Sequence, residues 1–240
     1  MWTPPLSPAP DPARVPPMHR AVLTALLLLT ACARPLTEPE KDFARNFFPE
    51  ETLAATRIAP APPVGLFSFT FPTRPATTCR EKIVPPPPGP EFTARTAGVV
   101  LFDHFFASPD WYLDDYTPRW PEEMNLSAAM FFAHELTHVW QWQNREVTGF
   151  SLGRVAAEHR TEEDPYLFDD SESRAFLDYG YEQQASIVEE YVCCAALDPE
   201  GARTERLRAL IAEDLPLGRW TPPASVLVPW RDAQTQGICS

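Results

Sequence analysis

The chain has 240 residues, 44% of them hydrophobic, enough for one domain with a substantial core and too many for wholesale disorder. Its formal charge of -13 excludes nucleic acid as a partner and excludes a polybasic membrane patch, since both need clustered Lys and Arg. The 29 prolines against 9 glycines predict long stretches of extended or turning backbone, because proline fixes φ and removes a donor.

The N-terminus reads as an export signal over residues 1–31. Met18-His19-Arg20 gives a positive start, residues 21–29 form an apolar run, and Thr30-Ala31 supplies small residues before a cleavage point. Residues 1–17 have no signal character, so Met18 is read as the true start. The run is far short of the roughly 20 residues needed to span a bilayer. Leu29-Thr30-Ala31-Cys32 resembles the lipobox of bacterial lipoproteins. That resemblance implies cleavage before Cys32, a diacylglycerol on its thiol and anchorage to a membrane. With Ala33 rather than Asp following, it also implies the outer membrane, facing the periplasm.

Residues 32–95 form a proline-rich leader and N-terminal segment. A short helix is expected over 43–48 and a strand over 64–71. Polyproline II is expected at 59–63 and 85–90, where proline runs forbid helix. The second region, 96–240, carries the regular structure. Residues 98–106 are β-branched and aromatic and predict one buried strand. Residues 109–121 read as a structured loop. A strong helix is expected from Asn125 or Ser127, both good caps, to about Glu146, ending before Gly149. A shorter helix is predicted over 152–158, a loop over 160–173, a second strong helix over 173–196, a short surface helix over 201–213, and a loop-like tail from Trp220. The fold class is α+β, mainly helical, with a small sheet.

Four cysteines follow Cys32: Cys79, Cys193, Cys194 and Cys239. In an exported chain this even count predicts two disulfides. Adjacent Cys193 and Cys194 point about 100° apart on a helix, so each reaches a separate partner, Cys79 or Cys239, with the pairing left open.

The chemistry lies in the first strong helix, in His134-Glu135-Leu136-Thr137-His138. Two histidines four apart stack on one helix face, and their imidazoles can reach one zinc ion at roughly 2.0–2.1 Å. Glu135, about 100° round the helix, is placed to act as general base on a water at the metal. Position 144 is Asn, so no third histidine follows at the elongated spacing, and the third ligand must come from elsewhere. Asp178, Glu182 and Glu189 share one face of the second helix by spacing. Glu182 is the first choice, because Ala185 one turn on is small enough to let two helices approach closely; Glu189, His159 and Asp178 are the alternatives. His159, Tyr166 and Tyr179 are candidate donors to an oxyanion. Asp103 and Asp178 are candidate partners for the far nitrogens of the histidines.

His134-Glu135-Leu136-Thr137-His138-Val139-Trp140-Gln141, followed by Glu182-Gln183-Gln184-Ala185, resembles a group of bacterial gluzincin-like zinc metallopeptidase domains. These domains occur beside contractile-injection and type VI secretion components, including secretion-spike-related proteins. The resemblance covers about residues 98–195. It implies a zincin-like core in which the motif helix packs on a second, ligand-bearing helix, with zinc on His134, His138 and Glu182 and with Glu135 as base. The substrate class it implies is a peptide or protein, peptidoglycan stem peptides included. The alternative is an envelope lipoprotein that kept the helix pair for binding or assembly, with a structural or vestigial metal site.

Overall fold

A computed structural model describes residues 33–159, 164–171 and 174–240. The export signal, Met18 and Cys32 lie outside the described residues. No described helix is long and apolar enough to cross a membrane.

In chain order the elements begin with strand β1 (Arg34–Pro35), helices α1 (Glu38–Ala44) and α2 (Glu50–Ala55), and strand β2 (Arg57–Pro60). A 3-10 turn at Val64–Leu66 leads to β3 (Ser68–Pro72). Then come the one-turn helix α3 (Cys79–Lys82) and strands β4 (Glu91–Arg95), β5 (Gly98–Leu101), β6 (His104–Ala107) and β7 (Glu123–Asn125). The long helix α4 (Leu126–Gln143) is followed by α5 (Arg145–Thr148), α6 (Leu152–Glu158), the second long helix α7 (Tyr181–Leu197), α8 (Ala202–Ile211) and β8 (Ser225–Leu227). The chain is thus mixed α+β.

The main sheet has the order β1-β2-β6-β5, with β2 parallel to β6 and the other two pairs antiparallel. Among the described residues β5 is therefore an edge strand. β3 pairs with β4 and β7 with β8 in two separate ribbons. The N-terminal segment shares the core of the rest. Phe43 on α1 and Phe47 just beyond it pack beside Phe132 on α4, Tyr191 on α7 and Trp220 in the tail, with ring centroids 5.4–6.2 Å apart. Buried Glu40 is fully satisfied: it takes both terminal nitrogens of Arg34 at 2.7 and 2.8 Å and the backbone amides of Thr37 and Tyr116. This is the way an ionised carboxylate is tolerated in an interior. Phe132, stacked on Tyr116 and wholly buried, sits at the centre. Phe132→Ala is expected to destabilise the fold by about 3–5 kcal/mol, read as a lower urea midpoint at unchanged slope.

Several boundaries differ from the sequence reading. The first helix begins five residues early, at Glu38, because Thr37 and Glu40 form a capping box and Pro39 sits in the first turn, where its missing N–H costs nothing. The run 98–106 is two strands, not one, turning at Phe102-Asp103 with Phe102 at φ 61. A bulky residue in the left-handed region gives no turn signal in sequence. Helix α4 begins on Asn125, whose side chain accepts from the Ala128 amide, but stops at Gln143. A separate turn, α5, then runs to Gly149, which caps it at φ 67. The second long helix starts at Tyr181, and a 3-10 turn at Phe176–Asp178 precedes it. In the tail, β8 adds regular structure by pairing with β7.

Both disulfides are present: Cys79–Cys193 and Cys194–Cys239. Consecutive residues of α7 thus reach the N-terminal half and the chain end.

Candidate metal centre

Helices α4 and α7 pack directly on each other, with Ala129, Ala133 and Ala185 buried. The close approach brings His134, His138 and Glu182 together in a buried group that could hold a metal ion. Its geometry is regular. His134 Nε2 lies 3.3 Å from His138 Nε2 and 3.3 Å from Glu182 Oε2, and His138 Nε2 lies 3.3 Å from the same oxygen. The three ligand atoms thus stand at the corners of an equal-sided triangle.

The far nitrogen of each histidine is also held. His134 Nδ1 is 3.2 Å from Glu189 Oε2, and His138 Nδ1 is 2.9 Å from Gln141 Oε1. Gln141 spends its own amide N–H groups on the Tyr181 carbonyl and on Gln184 Oε1, so its oxygen must face His138 as an acceptor. Each imidazole thus has an acceptor for an Nδ1–H behind it and turns Nε2 into the triangle. Glu189 lies behind His134 rather than at the triangle. Asp178 precedes α7 and so is not on the helix face shared by Glu182 and Glu189. Asp103 accepts instead from Gln143 at the far end of α4. The two helices are also joined by Gln141, which donates to Gln184 Oε1, with small Ala185 buried between them, while Gln183 accepts from the Gly180 amide at the start of α7.

The start of α7 is fixed by Glu158, the last residue of α6, whose carboxylate accepts from the amides of Tyr181 and Glu182. A carboxylate at a helix N-terminus is favoured by the exposed N–H groups and the helix dipole. The next residue, His159, puts Nε2 3.5 Å from Glu182 Oε1 and 3.2 Å from the Tyr166 hydroxyl. The Tyr166 ring lies 6.0 Å from that of His134. Tyr179 is directed elsewhere, its hydroxyl donating to the Asp169 carbonyl.

Glu135 is buried and stands against β5. A Cβ built on Gly98 would lie 2.3 Å from Glu135 Oε1, so only glycine lets the strand pass this close. Burial pushes the Glu135 carboxyl up to about 7, partly opposed by His134 and His138. Burial would lower His134, but its hydrogen bonds to Glu182 and Glu189 outweigh this and raise it to about 10. The Glu182 carboxyl is held well below its ordinary range, against the effect of burial, by the charges and hydrogen bonds of the two histidines.

Sequence reasoning missed Gly98, Gln141, Glu158 and Arg80, which contacts Glu189. Gly98 carried one signal, a glycine opening a β-branched run. Gln141 carried another, three residues after His138 on one helix face. No protein-family model matches the chain, and neither curated proteins nor solved structures show a significant similarity to it.

Proposed function

We propose that this chain is a zinc-dependent peptide-bond hydrolase of the bacterial cell envelope, with zinc on His134, His138 and Glu182 and with Glu135 as general base. The observation that carries this reading is the 3.3 Å triangle of ligand atoms. Bonds of roughly 2.0–2.1 Å at tetrahedral angles require donor atoms about 3.3–3.4 Å apart. Two imidazoles and one carboxylate suit zinc, whereas calcium and magnesium prefer oxygen alone. Three protein ligands leave one tetrahedral position open, as catalytic zinc needs.

When bound, zinc supplies Lewis acidity to a carbonyl oxygen and to water. Glu135, with its carboxyl raised to about 7, takes a proton from the attacking water and returns it to the amine as the C–N bond breaks. The water oxygen ends on the acyl carbon. Tyr166 and His159, beside Glu182 and His134, supply the donors that meet the negative charge on the carbonyl oxygen. Among the described residues β5 is an edge strand with Gly98 against Glu135, and strand addition at such an edge suits an extended peptide. Anchorage through Cys32, on the outer membrane and facing the periplasm, belongs to the same proposal. The two disulfides support an oxidising compartment.

The first test is the metal content of the protein from residue 33 onward, prepared without chelators. About one zinc per chain is expected; a metal-free product that takes up no added zinc would overturn the reading and leave the binding or assembly role. Gly98→Ala is expected to retain the metal but to lose hydrolysis about tenfold or more by displacing Glu135, measured as kcat on an unfolded protein substrate. Unchanged kcat would show that Glu135 need not stand there.

The raised His134 has a direct consequence for pH. A group whose folded pKa lies above its unfolded value stabilises the fold fully below the unfolded value, near 6.5, and that contribution is lost as pH rises through about 10. Binding of zinc displaces the same proton. The rise in melting temperature on adding zinc is therefore expected to be larger at about pH 8 than at about pH 6. A gain that is independent of pH would place the ion away from His134.

A further inference from the structure

We infer that Arg80 is a positioning residue for this metal site and that the Cys79–Cys193 disulfide is the latch that keeps it there; the inference rests on the metal reading above. Arg80 precedes both long helices and lies 109 residues from Glu189 in sequence, yet it reaches the back of the site. Its Nη1 donates to Glu189 Oε2 at 2.9 Å, and that same oxygen lies 3.2 Å from His134 Nδ1. One carboxylate oxygen therefore joins a guanidinium to the imidazole of a ligand. Glu189 is buried, and its partners are this cation and this ring. Without Arg80, a buried carboxylate would face His134 alone and would be free to rotate off it or to take a proton.

Arg80 is not held by its own side chain only. It sits in α3, a single turn that cannot be stable by itself. Two features fix that turn on α7, and a third closes it on itself. The Cys79 and Arg80 amides donate to the two oxygens of Glu190, at 2.7 and 3.4 Å. Cys79 is bonded to Cys193, one turn along α7 from Glu189. Thr78 and Glu81 close a capping box over the turn. Neighbouring carboxylates of α7 thus divide the work: Glu190 grips the backbone of the turn and Glu189 grips its guanidinium. The same strap reaches the far wall of the site. Arg74 pairs with Glu81 at 2.7 Å and with Asp164 at 3.7 Å, and the Arg80 guanidinium carbon lies 5.9 Å from the centre of the Tyr166 ring. One disulfide-pinned strap therefore backs both His134 and Tyr166, and its loss would loosen a ligand and the facing phenol together.

The second disulfide provides an internal control. Cys194–Cys239 leaves the same helix one residue later, but it pins the chain end, and Cys239 contacts Asp198, Gly201 and Arg203 rather than the metal ligands. Its sulfurs lie within 4.8 Å of the Cys79 sulfur and Ile238 accepts from Lys82, but its covalent bond holds the chain end and not the turn that carries Arg80.

The experiment is a zinc dissociation constant, obtained by competition with a chromophoric chelator, for the parent and for four variants: Arg80→Met, Arg80→Lys, the pair Cys79→Ser with Cys193→Ser, and the pair Cys194→Ser with Cys239→Ser. Thermal melts of the metal-free forms identify any variant that fails to fold. Arg80→Met and the Cys79/Cys193 pair are expected to bind zinc about 10–100-fold more weakly, the range seen when a partner behind a ligand is removed. Arg80→Lys, which keeps the charge, should recover part of that loss, and the Cys194/Cys239 pair, adjacent to the turn but not bonded to it, should lose less than the Cys79/Cys193 pair. Parent-like binding by Arg80→Met overturns the inference and leaves the metal reading standing. Equal weakening by both cysteine pairs also overturns it, since the effect would then follow general stability. A parent that binds no zinc overturns the metal reading and this inference with it.

Discussion

Glu135→Gln is expected to keep its zinc and to lose peptide hydrolysis by about 10²–10⁴-fold in kcat, the usual contribution of a positioned proton-transfer group. The substitution is nearly isosteric, which matters because the Glu135 carboxylate lies against Gly98 with no room for a larger group. Burial already favours the neutral form of this side chain, so the amide adds no desolvation cost and the fold should be unaffected. The measurement is kcat on a labelled unfolded protein beside metal content and melting temperature. Full activity in a zinc-loaded Glu135→Gln protein would remove Glu135 from the mechanism. Lost zinc would mean that Glu135 helps to hold the ion, and the assignment of three ligands would be wrong.

The second large effect falls on Glu182. Glu182→Ala removes one corner of the ligand triangle and the carboxylate that both histidines face at 3.3 Å. Zinc affinity is expected to fall by more than about 100-fold, beyond the range for partners behind a ligand. The metal-free variant should fold, because Ala185 and the bracing of Gln141 by Gln184 keep the helices together. Removing a carboxylate that sustains a charged His134 also lets burial lower that imidazole, so the variant should bind fewer protons at neutral pH than the parent. Titration of the imidazole by NMR reads this directly. Zinc retained at parent affinity would move the third ligand elsewhere, and His159 is the next candidate by position.

Much of this site could be read before the fold was known, for physical reasons that differ from residue to residue. His134, Glu135 and His138 lie on one helix, so a spacing of four suffices to place them. Glu182 lies on another helix, and its choice rested on the small Ala185 beside it and on a resemblance in wording. That His138 and Glu182 face each other depends on how α4 crosses α7, which no local pattern encodes. Glu189 was read as an alternative ligand because spacing places it on the same face as Glu182. Distance along the helix puts it behind His134 instead, a difference that only the packed pair resolves. Arg80 and Gly98 were invisible in their roles, since both act on residues that are far away in sequence. The strand at 98–106 shows the same limit from the other side: its composition is right for β structure, but the reversal at Phe102 follows from pairing, not from a turn residue.

The cross-links also bear on how such a chain endures proteolysis. A single cut at any peptide bond from Cys79 to Cys193 leaves the two pieces joined through the Cys79–Cys193 bond, and a cut anywhere from Cys194 to Cys239 leaves them joined through Cys194–Cys239. Between Cys79 and Cys239, one bond alone parts the molecule when severed: the one linking Cys193 to Cys194. It lies in the middle of a buried helix, where a protease cannot reach it without unfolding the helix first. The exposed loops can therefore be nicked while the ligand-bearing helices remain one covalent body.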